Sequence, residues 1–417
     1  MIYIAVLGGG VVGTGVVEVM HKNASSIASR AGEEIQVKKV LDIRDFPDSP
    51  YSQLFTKNAE DIFGDDSISI VVETIGGIGV AYEFTKRAFL SGKHVVTSNK
   101  ELVATYGPEL LKLASDQGVY YLFEGSVGGG IPIIRPLNQC LAANEINGIT
   151  GILNGTTNYI LTQMKREGKD FDVALKSAQA NGYAEANPTA DVEGHDACRK
   201  IAILSSIAYN EFVDYKSIHT EGITRISLID MEYAEAMDSV IKLIAISKKL
   251  EDGIFARVSP AIIGKNHPLS NVEDVFNAIV VKGDAIGEAM FYGRGAGKLP
   301  TASAVVADVI DIVKHLDGGG CRNLWERKEE GNTLDFTKSE TRYFVRVTTR
   351  NKPEAKRFIQ QTFGEVNFIH MDKPELQDEL AFVTVKASEE KLTDRTDRLK
   401  GIGSIREVVN IIRVEED

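Results

Sequence analysis

Apolar residues open the chain in an unbroken run, IYIAVL at Ile2–Leu7, and give way to glycine; behind the glycines, VVGTGVVEVMH repeats apolar positions at helical spacing. A buried strand turning through glycine into a helix fits that order. The rhythm recurs: residues 36–43 (QVKKVLDI) predict a second strand, Ile68–Glu73 (ISIVVE) a third, 82–91 a helix, His94–Thr97 a strand, 108–117 a helix and 119–123 a strand. Such alternation predicts a parallel, doubly wound α/β sheet that binds its ligand at the carboxyl ends of its strands.

Further along, IAILSSIAY at 201–209 predicts a buried helix. If it starts near Gly194, Asp196 and Lys200 stand four residues apart on one face. Pro188 and Gly194 forbid a helix through the preceding segment, which places Glu185 and Asp191 on an irregular loop able to aim side chains into a cleft. From residue 342 the pattern changes to strand 343–348, helix 354–362, strands 366–371 and 380–385, helix Glu389–Leu399 and strand 405–412. This βαββαβ order is ferredoxin-like. The charged stretch 326–340, ERKEEGNTLDFTKSE, reads as the linker before it.

Composition narrows the function. With 417 residues, 43% of them hydrophobic, the chain can build two or three cored domains. A net charge of −12 argues against binding to nucleic acid or to an anionic membrane, so an anionic ligand needs a local site. The start MIYIAVLGGG lacks a basic leader region and no apolar stretch is long enough to span a bilayer, so a cytoplasmic location is expected. Cys140, Cys198 and Cys321 are odd in number and lack CxxC spacing, as fits reduced thiols. The sequons at Asn23 and Asn154 carry no meaning without secretion.

Three local patterns carry chemistry. Gly8, Gly10 and Gly13 form GxGxxG between strand and helix: the first permits the tight turn, the second lets backbone approach a pyrophosphate, and the third lets helix and strand pack closely. Asp42, ending the second strand, would accept from an adenosine ribose and so favour NAD, while Arg44, Lys38 and Lys39 would suit the 2′-phosphate of NADP; the choice stays open. Lys100, leaving the strand HVVT, points at the cofactor cleft and suits proton transfer or carboxylate binding. EGSVGGGIP at 124–132 offers many backbone oxygens, either to a hard cation or as a glycine hinge.

With these motifs in place the chain resembles the homoserine dehydrogenases across about residues 1–320. Residues 178–200, AQANGYAEANPTADVEGHDACRK, fit that family's signature at every fixed position, and GGGVVG, VVETIGG, SNK, LNGTTNYIL and GRGAGKLPTASAVVAD agree in order. The resemblance implies a nucleotide domain at 1–135, a substrate and dimerisation domain at 136–325 whose last helix, about 300–316, returns to the nucleotide domain, the linker at 326–340, and a C-terminal domain at 341–417 that looks like an ACT module. It implies that Val11, Val12, Thr74, Asn99 and Gly295 join Gly8, Gly10, Gly13, Asp42 and Arg44 around NAD or NADP. Glu185 would bind the substrate ammonium, with Thr156, Tyr183 and Asp191 in the same pocket. Asp196 and Lys200 would hold the reacting oxygen, and Lys100 and Lys200 compete for the acid/base role. Main-chain oxygens of Glu124, Val127, Gly129 and Ile131 would bind sodium.

The implied reaction is reversible reduction of aspartate 4-semialdehyde to homoserine by NAD(P)H, in a homodimer or higher homo-oligomer. Residue chemistry agrees, because hydride delivery to an aldehyde builds negative charge on oxygen that an ammonium neutralises and protonates. Threonine is the expected effector of the ACT-like domain, with dimerisation alone as the alternative, since Asn351-Lys352-Pro353-Glu354 lacks the glycine of the usual ligand turn. Two other functions compete. A catalytically inactive dinucleotide-sensing regulator would have lost a lysine or its orienting acid, and a phosphorylating semialdehyde dehydrogenase needs a cysteine nucleophile, whereas Cys140 and Cys198 fall in helical patterns.

Overall fold

A computed structural model describes residues 1–316, 318, 320, 324–328 and 331–415; Cys321 lies outside them. The chain forms two compact units. The first comprises Met1–Ile146, Arg199–Tyr215 and Gly283–Asn332, and the second Asn147–Cys198, Lys216–Lys282 and Thr333–Asp417.

The first unit is built on a six-stranded parallel sheet in the order Phe55–Thr56, Ile35–Leu41, Ile2–Leu7, Ile68–Glu73, His94–Thr97, Tyr121–Leu122. The chain builds outward from Ile2–Leu7 to one side and then, from Ile68–Glu73, to the other. Their carboxyl ends are therefore the topological switch point, where a doubly wound sheet opens a ligand crevice. Helix Val11–Lys22 covers one face, and the distant helix Lys298–Lys314 packs beside it, Val305 and Val309 joining Ile4, Val6, Val16 and Val17 in one core. A Cβ on Gly15 would stand 2.9 Å from the Lys298 carbonyl oxygen, so the two helices approach at backbone distance.

The helix expected at 108–117 begins eight residues earlier, at Lys100, and runs to Asp116 through Pro108. Proline at a first helical turn is the commoner arrangement, which suggested the later start. Packing overrides it: Leu102, Val103, Leu110, Leu111 and Ala114 form one buried stripe across the proline. The Asn99 side chain caps the new start by accepting from the Leu102 N–H at 3.1 Å.

The second unit is a mixed sheet in the order Phe276–Gly283, Ile146–Ile152, Ser239–Leu250, Gly253–Gly264, Ile405–Val414, Glu340–Thr349, Glu379–Thr384, Val366–Ile369. The last four strands and helices Lys352–Phe363 and Glu389–Leu399 follow the βαββαβ order, around a core of Val345, Val347, Ile359, Phe363, Phe382 and Leu392. This part is not hung after a finished domain, as the sequence suggested. Its final strand pairs in parallel with Gly253–Gly264, Ala261 against Arg413 and Ile262 against Val414, so it continues the sheet of the second unit. Nor is the stretch 326–340 a bare polar connection: the Phe336 ring stacks on His219 at 3.6 Å, and Leu334 donates to the Ile254 carbonyl.

Buried charge reinforces the junction. Arg413 pairs with Glu389 and Glu221, while Arg257 pairs with Glu389 and Glu415. Burial would raise the Glu221 carboxyl, yet His219 and Arg413 outweigh it and hold it at about 2. Arg346, 4% exposed, donates to Asp230 at 2.6 Å, to Ser227 and to Glu379 at 3.0 Å. Removing one member of such a set leaves its partner charged and buried, so the clusters fix geometry more than they add net stability.

Candidate functional site

At the switch point the glycine loop is held from three sides. Gly8 has φ +99°, and a Cβ on Gly13 would fall 1.9 Å from the Gly8 carbonyl oxygen, so neither position admits a side chain. Thr74, beginning the loop after Ile68–Glu73, donates its hydroxyl to the Leu7 and Gly8 carbonyls at 2.9 and 3.0 Å. Gly10 is the N-cap of helix Val11–Lys22, and no side chain caps it, which leaves the N–H groups from Val11 and Val12 onward aimed at an incoming anion. A positive helix end without its own acceptor is a phosphate site in waiting.

The Gly9 N–H donates to Asp42 at 2.7 Å, and Arg44 grips the same carboxylate through its backbone N–H, Nε and Nη2 at 2.9, 3.0 and 2.8 Å. Arg44 chiefly, against burial, holds the Asp42 carboxyl down at about 2. Asp42 thus braces the loop, and the group offered outward is the Arg44 guanidinium, 61% exposed and laid over Phe46. Lys38 does not share the role expected of it. Its ammonium bonds Asp65 at 2.6 Å and Ser67 at 2.7 Å, ahead of strand Ile68–Glu73 and so at the amino ends of the sheet.

The neighbouring strand ends are tied together as well. Glu73, fully buried, accepts from the Thr97 hydroxyl at 2.6 Å and the Ile75 N–H at 2.7 Å; burial pushes its carboxyl up against those bonds. Asn99 donates to the Gly77 carbonyl at 2.6 Å while it caps the next helix. That helix begins at Lys100, which is half-buried. A cation at the first helical position opposes the helix dipole, a placement that helix stability does not explain. Its neighbour Glu101 forms a 3.5 Å ion pair with Arg199, the residue before Lys200, so the two lysines flank one salt bridge of the first unit.

The glycine-rich loop after Phe123 is closely packed. The Glu124 carboxylate, 3% exposed, accepts from the N–H groups of Ile133, Ile134 and Arg135 at 2.6, 2.8 and 2.7 Å, while its own N–H donates to Asp308. Arg135 pairs with Asp308; even so, burial and the charge on Glu124 push the Asp308 carboxyl up to about 7. A Cβ on Gly129, which has φ +58°, would come within 2.5 Å of the Gly295 backbone, so glycine here serves close approach. Glu124, Val127, Gly129 and Ile131 are all buried.

In the second unit the organising residue is one the motif reading passed over. Asn154, 4% exposed, caps helix Gly155–Glu167 by accepting from the Thr157 N–H at 2.8 Å. Its amide nitrogen donates to Asp191 at 2.7 Å and to Asp196 at 2.9 Å. Asp191 sits on a single helical turn, Thr189–Val192, and not on irregular loop: Pro188 stands just before that turn, where proline does no harm, and Gly194 at φ +81° ends it. Thr156 and Tyr183 are adjacent, the Thr156 hydroxyl donating to the Tyr183 carbonyl at 2.6 Å, and the Tyr183 ring meets Tyr159 edge-on. Glu185 is exposed on the loop, its carbonyl accepting from the Gln179 amide.

Helix His195–Tyr209 carries Asp196 and Lys200, which are 6% and 8% exposed. Four residues apart, they lie on one face about 6 Å along the axis. A buried acid and ammonium one helical turn apart can polarise a substrate oxygen and exchange a proton with it. His94 lends its Nδ1 to the Tyr120 N–H, and burial lowers its pKa, which makes it a strand-bracing residue. Among the described residues no cluster of His, Cys, Asp and Glu side chains is arranged for a metal, and no helix is long and apolar enough to cross a membrane.

Comparison with known proteins agrees with this geometry. Residues 8–124 match the family model described as homoserine dehydrogenase, NAD binding domain, and residues 132–310 match that described as homoserine dehydrogenase. The chain is 36% identical to a homoserine dehydrogenase of Pseudomonas aeruginosa over 99% of this chain and 98% of the relative. A crystal structure of a homoserine dehydrogenase from Thiobacillus denitrificans superposes with a TM-score of 0.92 at 37% identity, covering 100% of this chain and 98% of that one. A hyperthermophilic archaeal homoserine dehydrogenase in complex with NADPH superposes at 0.64 with 28% identity, covering 77% and 99%. Matched by both family models and by relatives along its whole length, the chain belongs to the homoserine dehydrogenases, oxidoreductases with an NAD-binding domain.

Proposed function

We propose that the protein interconverts L-homoserine and L-aspartate 4-semialdehyde with Lys100 and Lys200 as its acid/base pair. The observation that carries this is the burial of Asp196 and Lys200, an acid and an ammonium one helical turn apart on one face of one helix. When bound, the nicotinamide supplies or accepts the hydride. The chain's own part is electrostatic. Lys200, oriented by its helix and by Asp196, neutralises the charge that develops on the substrate oxygen, and the proton moves between that oxygen and a lysine amine. Glu185 takes the substrate ammonium, its exposed carboxylate being free to swing, and Thr156, Tyr183 and Asp191 line the same pocket.

The cofactor reading follows from Arg44. Asp42 is neutralised by Gly9 and Arg44, so the exposed guanidinium suits the 2′-phosphate of NADP better than Asp42 suits a ribose hydroxyl. The archaeal relative in complex with NADPH supports that choice. Val11, Val12, Thr74, Asn99 and Gly295 complete the nucleotide site. Main-chain oxygens of Glu124, Val127, Gly129 and Ile131, all buried, suit a hard cation, sodium, which would hold that loop in place.

The C-terminal βαββαβ part is read as an ACT-like domain of a homodimer that works in the cytoplasm. Its first role is structural. Asn351 already takes the Glu354 N–H at 3.2 Å, the donor that a ligand's backbone would seek. A second reading, threonine as effector, is favoured by a 360 Å³ cavity lined by Lys352, Pro353, Lys356, Phe368 and His370. Absorbance of the reduced nicotinamide, followed with homoserine and each oxidised cofactor in turn, tests reaction and coenzyme together. Turnover faster with NADP is expected; none with either cofactor would refute the assignment. Threonine at millimolar levels leaving the rate unchanged would remove the effector.

A further inference from the structure

We infer that Asn154 is a positioning residue of this reaction, its carboxamide clamping the Asp191 and Asp196 carboxylates together and so fixing the acid one helical turn from Lys200. The inference rests on the homoserine reading and deepens it.

The direction of the amide is not open to choice. Asn154 Oδ1 accepts from the Thr157 N–H at 2.8 Å and from the Thr157 hydroxyl at 3.0 Å, so the oxygen faces the helix and the NH2 group must face the acids. Its donations, 2.7 Å to Asp191 and 2.9 Å to Asp196, bridge residues that arrive on different elements, the turn Thr189–Val192 and the helix beginning at His195. Two carboxylates brought this close repel, and the repulsion would rotate Asp196 away or protonate one of the pair. A neutral donor shared between them opposes that tendency without adding a charge that would compete with Lys200.

Capping alone does not require this residue. An N-cap needs only an acceptor, and serine or aspartate supplies one about as well as asparagine. The NH2 group is surplus to the helix and is spent on the two acids, in a position that is 4% exposed and closed to substituting water. Asn154 therefore acts through Asp191 and Asp196.

Asn154→Ser and Asn154→Asp separate the two roles, because both keep the cap; serine cannot span two carboxylates, and aspartate adds a third. With the full-length protein, kcat and KM for homoserine, the pH profile of kcat/KM, fluorescence titration with NADPH and Tm would be measured. The serine variant should lose about 10- to 100-fold in kcat/KM, as a misplaced reacting group does. The aspartate variant should lose more, its acid limb moving to higher pH and its Tm falling because a third carboxylate is buried, while NADPH affinity in the folded protein stays near wild type. Wild-type kcat, KM and pH profile in the serine variant would overturn the inference while leaving the homoserine reading intact. Should the serine variant fail to bind NADPH through misfolding, the aspartate variant decides in the same way. A wild-type protein inert toward homoserine would overturn the reading and the inference together.

Discussion

The glycine loop of the first unit and the acid cluster of the second solve similar problems by different means. Both hold charge: the loop prepares a place for phosphate, and the cluster keeps two carboxylates in a confined site. The loop does so with backbone supplied by consecutive residues, Gly8 to Gly13, braced by Thr74 and Asp42. The cluster uses side chains from three separate elements joined through Asn154. Backbone geometry is encoded locally because glycine spacing dictates where N–H groups point. Side-chain clusters depend on where folding delivers each element, and one misplaced carboxylate leaves a buried charge without compensation.

The sharpest way to break the contrast is at the lysines. Lys200→Ala and Lys100→Ala should each lower kcat by about 10²- to 10⁴-fold, the usual worth of an acid/base group. Titration with NADPH should show nearly unchanged affinity. A wild-type kcat in either variant would remove that lysine from the chemistry.

Stability shows the same long-range dependence. Arg346→Ala leaves Asp230 and Glu379 unpaired and buried, and urea unfolding should show a loss of about 3–5 kcal/mol. The surviving folded protein should turn over homoserine at the wild-type rate. A loss below about 1 kcal/mol would mean that the cluster is solvated and not a joint of the sheet.

Arg44→Ala sharpens the comparison on the side of the loop. Losing a charge-assisted bond worth about 1.5–3 kcal/mol should raise KM for NADP by about 10- to 100-fold and leave NAD nearly unaffected. An equal rise for both cofactors would show that Arg44 acts only by bracing Asp42.

The smallest expected effect concerns Asp308. Burial raises its carboxyl to about 7 in the folded protein, above the ordinary carboxylate value of about 3.9 in the unfolded chain. Between those values the folded state binds more protons, so this group's contribution is fully present below about pH 4 and lost as pH rises to about 7. Asp308→Asn should flatten that part of the wild-type stability curve. Parallel curves for the two proteins would show that Arg135 keeps Asp308 ionised throughout.

Legibility followed the same division. Strands Ile2–Leu7, Ile68–Glu73 and His94–Thr97 and helix Glu389–Leu399 were readable to the residue, because their apolar periods carry their own boundaries. The start of helix Lys100–Asp116 was not, since Pro108 mimicked a first turn and only the buried stripe across it shows otherwise. Lys38 looked equivalent to Arg44 from its position in the chain, yet the strand delivers it to the opposite end of the sheet. Asn154 was visible only as a sequon and as part of LNGTTNYIL; nothing local to it named Asp191 and Asp196 as partners.

The sequence by itself determined the alternating first sheet, the phosphate loop, the βαββαβ order of the C-terminal part and the family's signature, because each is written in short-range spacing. Tertiary structure alone decided that the last strand would continue the sheet through Ala261 and Arg413, that Asp42 would be consumed by Gly9 and Arg44, and that one amide would hold two acids. Those outcomes turn on contacts between residues far apart in the chain, and local pattern cannot specify which partner satisfies a buried polar group.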